Sequence, residues 1–116
     1  MNRDANLPLT ETTYYVLLAL CRPAHGYIIM QKIEELSSGQ VRLAAGTLYG
    51  ALENLEKQKM IRQIPGPDAR RKTYSITPKG REVLALDYER MKYMILRTDA
   101  YLQEVGDKHE ETSIIP

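Results

Sequence analysis

Apolar positions along this chain follow three kinds of spacing, and each spacing predicts an element. Residues 14–21 are apolar almost without a break, which predicts a short helix covered on several sides. Thr10 can cap it, with Glu11 well placed at its positive end. Ile29, Ile33 and Leu36 keep a 4-3 step with Met30 alongside, predicting a second helix over about 27–36. Leu48, Leu52 and Leu55 share one face of a third helix, from about 44 to 58 or 59, with Ala51 at its edge. Residues 60–64 and 73–76 carry short alternating patterns that predict a hairpin, and Val41-Arg42-Leu43 could form a minimal strand. Thr77 then serves as N-cap and Pro78 as first helical residue of a long helix reaching about 105. Along it Leu84, Tyr88, Met91, Ile95, Thr98, Leu102 and Val105 step 4-3-4-3-4-3, a coiled-coil seam over three heptads.

Turn-forming residues punctuate these elements. Pro23 stops the first helix and Gly26 allows a tight turn, Ser37-Ser38-Gly39 ends the second, and residues 65–72 form a Pro- and Gly-rich loop. The expected organisation is a loose N-terminal arm (1–8), a domain of three helices and a hairpin (9–76), a dimerisation helix (77–105) and a disordered tail (106–116). The fold class is mainly α with a small β-hairpin: a winged helix-turn-helix followed by a long C-terminal helix. So small a module has no internal partner for the whole seam. A second copy of the chain is the expected cover, with the first helix able to cover part of it.

The outer face of the third helix is unusual. It carries Gly46, Gly50, Glu53 and Lys57, flanked by Thr47 and Asn54. Each glycine costs a helix about 1 kcal/mol against alanine, so two on one face suit a helix that must lie close against something rigid. Charge sharpens this reading. The net charge is only +1, yet residues 57–81 hold eight bases and one acid, Asp68. That island maps onto the wing and the tail of the third helix, as a localised polyanion site requires. Arg70, Arg71, Lys72 and Lys57 are candidates to neutralise phosphates, and Thr47 and Asn54 to touch base edges in the major groove. Gly46 and Gly50 would let backbone approach closely. Tyr49 either gives its hydroxyl to a phosphate or is a core aromatic. Glu53 would repel phosphate unless it meets a cytosine amino group.

These residues together expect double-stranded DNA as partner, read by a homodimer at a near-palindromic operator. Other classes fit less well. His25 falls in a turn and His109 in the tail, neither beside an acid or nucleophile, so no catalytic site is expected. No metal spacing or phosphate loop is present, and no cofactor is expected. A winged-helix module that binds protein instead of DNA would want an apolar or acidic outer face and no basic wing. The single cysteine, Cys21, excludes a disulfide framework, and no apolar run is long enough for a membrane span, so a cytoplasmic protein is expected.

The combination Leu9-Thr10-Glu11, His25-Gly26-Tyr27, Gly46-Thr47-Leu48-Tyr49, Arg70-Arg71-Lys72-Thr73-Tyr74 and Thr77-Pro78-Lys79-Gly80 resembles the PadR family of bacterial transcriptional regulators. The resemblance covers residues 9–104. The single C-terminal helix is similar to the smaller subfamily that includes the multidrug-responsive regulator LmrR. It implies a winged-helix homodimer joined by the last helix, DNA contacts from Tyr49 and the wing bases, and repression relieved by a small apolar or aromatic effector. One departure bears on that effector. Drug-binding members of the subfamily carry a tryptophan midway along the last helix, whereas this chain has none and places Met91 there. Met91 with Tyr88 and Tyr15 either lines a soft apolar cavity or simply fills a dimer core.

Overall fold

A computed structural model describes residues 4–66, 68 and 70–108. Four helices and three short strands follow in the order α1 (Glu11–Ala19), β1 (Ala24–His25), α2 (Gly26–Leu36), α3 (Ala45–Lys57), β2 (Ile61–Ile64), β3 (Thr73–Ile76) and α4 (Pro78–Lys108). The Thr10 hydroxyl accepts the Thr13 amide at 3.1 Å, so α1 starts where its capping residue predicts. Being apolar all round, α1 is the central element and packs against α2, α3 and α4. Its Val16 and Leu17, with the C-cap residue Leu20, join Ile29 and Ile33 of α2 and Leu48, Leu52 and Leu55 of α3 in one buried core.

The strands form one antiparallel sheet in the order β1-β3-β2, with Ala24 opposite Tyr74 and Ile61 opposite Ile76. Alternation along β3 buries Tyr74 and Ile76, closing the core from the side of the wing. The third strand is therefore Ala24–His25, and the candidate at 41–43 is not a strand. Val41 is instead a buried loop residue whose amide donates to the buried Ser37 hydroxyl at 2.9 Å. The α2–α3 turn passes through Ser38 and Gly39 at φ of 52° and 78°, the left-handed region that glycine enters freely.

Both ends of the chain depart from expectation. Residues 4–8 are not a loose arm: Asn6 donates to the Asp4 carboxylate and Leu7 packs against the core. At the other end α4 continues through residues 106–108, where a tail was expected; Gly106 costs the helix only about 1 kcal/mol against alanine and does not end it. Residues 1–3 of the arm, residues 109–116 of the tail with His109, and Pro67 and Ala69 of the wing lie outside the described residues.

A dense joint fixes α4 to the end of α3. Lys59 closes α3 with φ of 62°, and the carbonyls of Gln58 and Lys59 at this end are taken by the start of α4. The Thr77 hydroxyl donates to the Lys59 carbonyl at 2.6 Å while accepting the Gly80 amide at 3.1 Å, and the Lys79 ammonium donates to the Gln58 carbonyl at 2.9 Å. Gly80 is buried so close to the Met60 carbonyl that a Cβ there would overlap it. From this anchor Val83, Leu84 and Asp87 pack inward, and beyond Arg90 the helix leaves the module. Asp87, 1% exposed, accepts from the Arg90 guanidinium at 2.6 Å, so the buried carboxylate is neutralised where the helix emerges. Leu84, expected in the dimer seam, is only 9% exposed and belongs to the core, because α1 already covers that turn. The projecting helix draws the molecule out to 62 × 31 × 20 Å.

Gly80→Ala should cost on the order of 3 kcal/mol, since its methyl group would meet the Met60 carbonyl, which is backbone, and the buried Ile76 side chain, which has no room to turn away. Urea unfolding should show a lowered midpoint with an unchanged slope.

Candidate nucleic-acid interface

The third helix presents the two faces its spacing predicts. Leu48, Leu52 and Leu55 are buried, whereas Gly46, Thr47, Gly50, Glu53, Asn54 and Lys57 are exposed. A Cβ at Gly46 or Gly50 would meet nothing within 4 Å, so neither glycine serves internal packing. Ala44 at the N-cap has no side chain to offer the first amides of α3. Glu53 and Lys57 form an ion pair at 3.3 Å, one helical turn apart and both exposed. The acid on this face therefore screens the lysine beside it, and the pair is nearly neutral as seen from outside.

Tyr49 is 50% exposed and is not a core aromatic. Its ring leans from α3 towards the first residue of α2 and forms one wall of a cleft of about 460 Å³. His25, Tyr27 and Tyr74 line the same cleft, and Arg70, Arg71 and Lys72 face them from the wing. The wing bases thus stand across a gap from the third helix instead of forming a separate patch. Asp68 shapes the loop: its carboxylate accepts the Arg70 amide at 2.9 Å and lies 4.0 Å from the Arg71 guanidinium. Arg70, Arg71 and Lys72 are all exposed.

Not every exposed base of the island is left unengaged. Lys79 is held by the Gln58 carbonyl, and Arg81 donates to the Cys21 carbonyl at 3.1 Å, so these two brace α4 against the module. His25, Tyr27 and Tyr74 were not among the expected contact residues. The His25-Gly26-Tyr27 triplet was the available signal, but nothing local shows that it opens towards a loop some 45 residues later.

Tyr15, Tyr88 and Met91, the residues expected to line an effector cavity or fill a dimer core, are not gathered in one place. Tyr88 lines a groove of about 400 Å³ between α1 and α4 with Tyr14, Leu18, Cys21 and Leu84. Met91 lines a separate hollow with Met94, Ile95 and Thr98, and Tyr15 is half-buried against the core. Along the seam Tyr88 and Ile95 are 50% and 59% exposed, Thr98 is exposed, and Met91, Leu102 and Val105 are half-exposed. Among the described residues no cluster could hold a metal ion, and no helix is long and apolar enough to cross a membrane.

A three-helix module with a basic-tipped hairpin and a projecting C-terminal helix defines the class: a winged helix-turn-helix. The transcriptional regulator PadR-like family model matches residues 16–86, and the chain belongs to that family. Solved structures agree. A transcriptional regulator of Clostridium thermocellum superposes with a TM-score of 0.62 at 25% identity, covering 78% of this chain and 91% of that one. A PadR-family regulator of Eggerthella lenta gives 0.61 at 26% identity, covering 80% and 81%. RosR of H. salinarum shares the fold at 20% identity, with a TM-score of 0.67 over 92% of this chain and 99% of that one. An uncharacterised 37.1 kDa protein from a Streptomyces fradiae transposon is 40% identical over 72 residues, or 59% of this chain. The chain spans only about a fifth of that curated relative's length.

Tyr74 under the cleft has its hydroxyl pushed above the usual tyrosine range, first by burial and then by the charge of Glu56. A neutral form favoured by folding means that stability is retained up to the unfolded value near pH ~10 and falls above it, where only the unfolded chain ionises freely. Tyr74→Phe should therefore lessen the loss of stability above about pH 10, measured as melting temperature against pH.

Proposed function

We propose that this regulator is a DNA-binding repressor that acts as a homodimer on a near-palindromic operator and is released by a small apolar or aromatic effector. The observation that carries the DNA reading is the outer face of α3, bare at Gly46 and Gly50, set across a cleft from three exposed wing bases. In this reading α3 enters the major groove. Thr47 and Asn54 reach base edges, and Asn54 suits adenine. Arg70, Arg71 and Lys72 neutralise phosphates of the flanking strand, with the Tyr49 hydroxyl as a further donor. Lys57 is partly screened by Glu53, so its share is smaller.

The dimer reading rests on α4. Tyr88, Met94, Ile95, Leu96 and Tyr101 are all exposed on a helix that runs clear of its own module. So much apolar surface on one rod favours a second copy as cover. Pairing would place the two α3 helices about 34–36 Å apart, one turn of duplex. An effector in the apolar groove between α1 and α4, against Tyr88, would change the angle between the two α4 helices and hence that separation.

A gel-shift titration with the protein's own upstream region tests the reading. With about four phosphates neutralised per protomer, log K against log salt should slope at roughly −7. A slope shallower than about −2 would remove the basic wing from the contact. Arg70→Ala with Arg71→Ala should weaken all duplexes alike, whereas Asn54→Ala should relax preference at one position. Ile95→Lys should give a monomer by sedimentation velocity and abolish operator binding. A monomeric wild type at micromolar concentration would overturn the dimer.

A further inference from the structure

Gly26 stands at the first turn of α2, and nothing about its own backbone requires glycine. Its φ lies outside the left-handed region, and a helix start accepts alanine readily. The constraint comes from elsewhere in the chain. A Cβ at position 26 would lie 2.5 Å from the Tyr49 hydroxyl oxygen, 3.0 Å from Cζ and 3.5 Å from Cε1. Those atoms are the far end of a half-exposed side chain, so the ring would swing away and the backbone would stay. The Tyr49 hydroxyl makes no hydrogen bond to another described residue and lines the cleft opposite the wing bases. Glycine at 26 therefore leaves room for a free donor to stand at one place in a cationic cleft.

We propose that Gly26 is a positioning residue: by admitting the Tyr49 hydroxyl over the start of α2, it fixes the donor that, with the wing bases, seats one backbone phosphate of the duplex in the cleft. This rests on the DNA-binding reading above. The sequence order hides it, because Gly26 and Tyr49 lie on different helices and touch only when α2 and α3 pack.

A double-mutant cycle tests the idea with wild type, Gly26→Ala, Tyr49→Ala and the double variant, each titrated with the same duplex. Losing one hydrogen bond to a charged phosphate should weaken binding about tenfold. Gly26→Ala should show that loss at an unchanged melting temperature and an unchanged salt slope, since no charge is removed. In the Tyr49→Ala background, Gly26→Ala should cost nothing further. The nuclear Overhauser contact between the Gly26 α-protons and the Tyr49 ring should be present in the wild type, and its counterpart at the residue 26 α-proton lost in Gly26→Ala. Additive losses in the cycle, a fall in melting temperature matching the loss of affinity, or wild-type affinity in Gly26→Ala would overturn the proposal. A wild type that binds no duplex at low salt would instead bring down the DNA reading, and this inference with it.

Discussion

The capping of α3 by the first turn of α4 is the contact on which the other features depend. Helix ends leave carbonyls without partners, and here Thr77 and Lys79 supply donors to the Lys59 and Gln58 carbonyls. Gly80 lets the two backbones meet at Met60 with no side chain between them. The result is a short, stiff link between the helix with the bare outer face and the helix with the apolar seam. The link is made backbone to backbone and side chain to backbone, so it holds α3 and α4 in one relative orientation. A flexible linker at this place would leave the orientation of α4 relative to the outer face of α3 unfixed.

Charge on this protein is organised by pairing and not by amount. The exposed acid of the outer face is one turn from a lysine, the buried acid of α4 is held by Arg90, and the wing acid orders its own loop. Two further bases, Lys79 and Arg81, hold carbonyls of neighbouring elements. After these engagements the bases that remain on the wing point across a cleft walled by tyrosines. A chain with net charge +1 thereby carries a local cationic surface without the self-repulsion of a uniformly basic protein.

Much of the fold was legible along the chain. The four helices, the hairpin and the cap residues Thr10 and Thr77 follow from periodicity and capping chemistry, which act over a few neighbouring residues. The openness of Gly46 and Gly50 was legible too, since a helical period assigns them to the face opposite Leu48 and Leu52. What escaped was short or remote. A strand of two residues, Ala24–His25, has no period to detect and exists only because β3 lies beside it. Leu84 keeps perfect seam spacing, but α1 reaches it first.

The glycines mark the boundary most clearly. Residue order alone was enough to say that Gly46 and Gly50 share the outer side of a helix, because that depends only on the 3.6-residue turn. The demands on Gly80 and Gly26 come from Met60 and Tyr49, which belong to other elements, and no local pattern carries that information. Likewise, eight bases in one stretch are evident from the letters, but which are engaged by carbonyls and which face the cleft follows from packing. Local stereochemistry chose the elements; contact between segments far apart in the chain chose which of their side chains are left free to act.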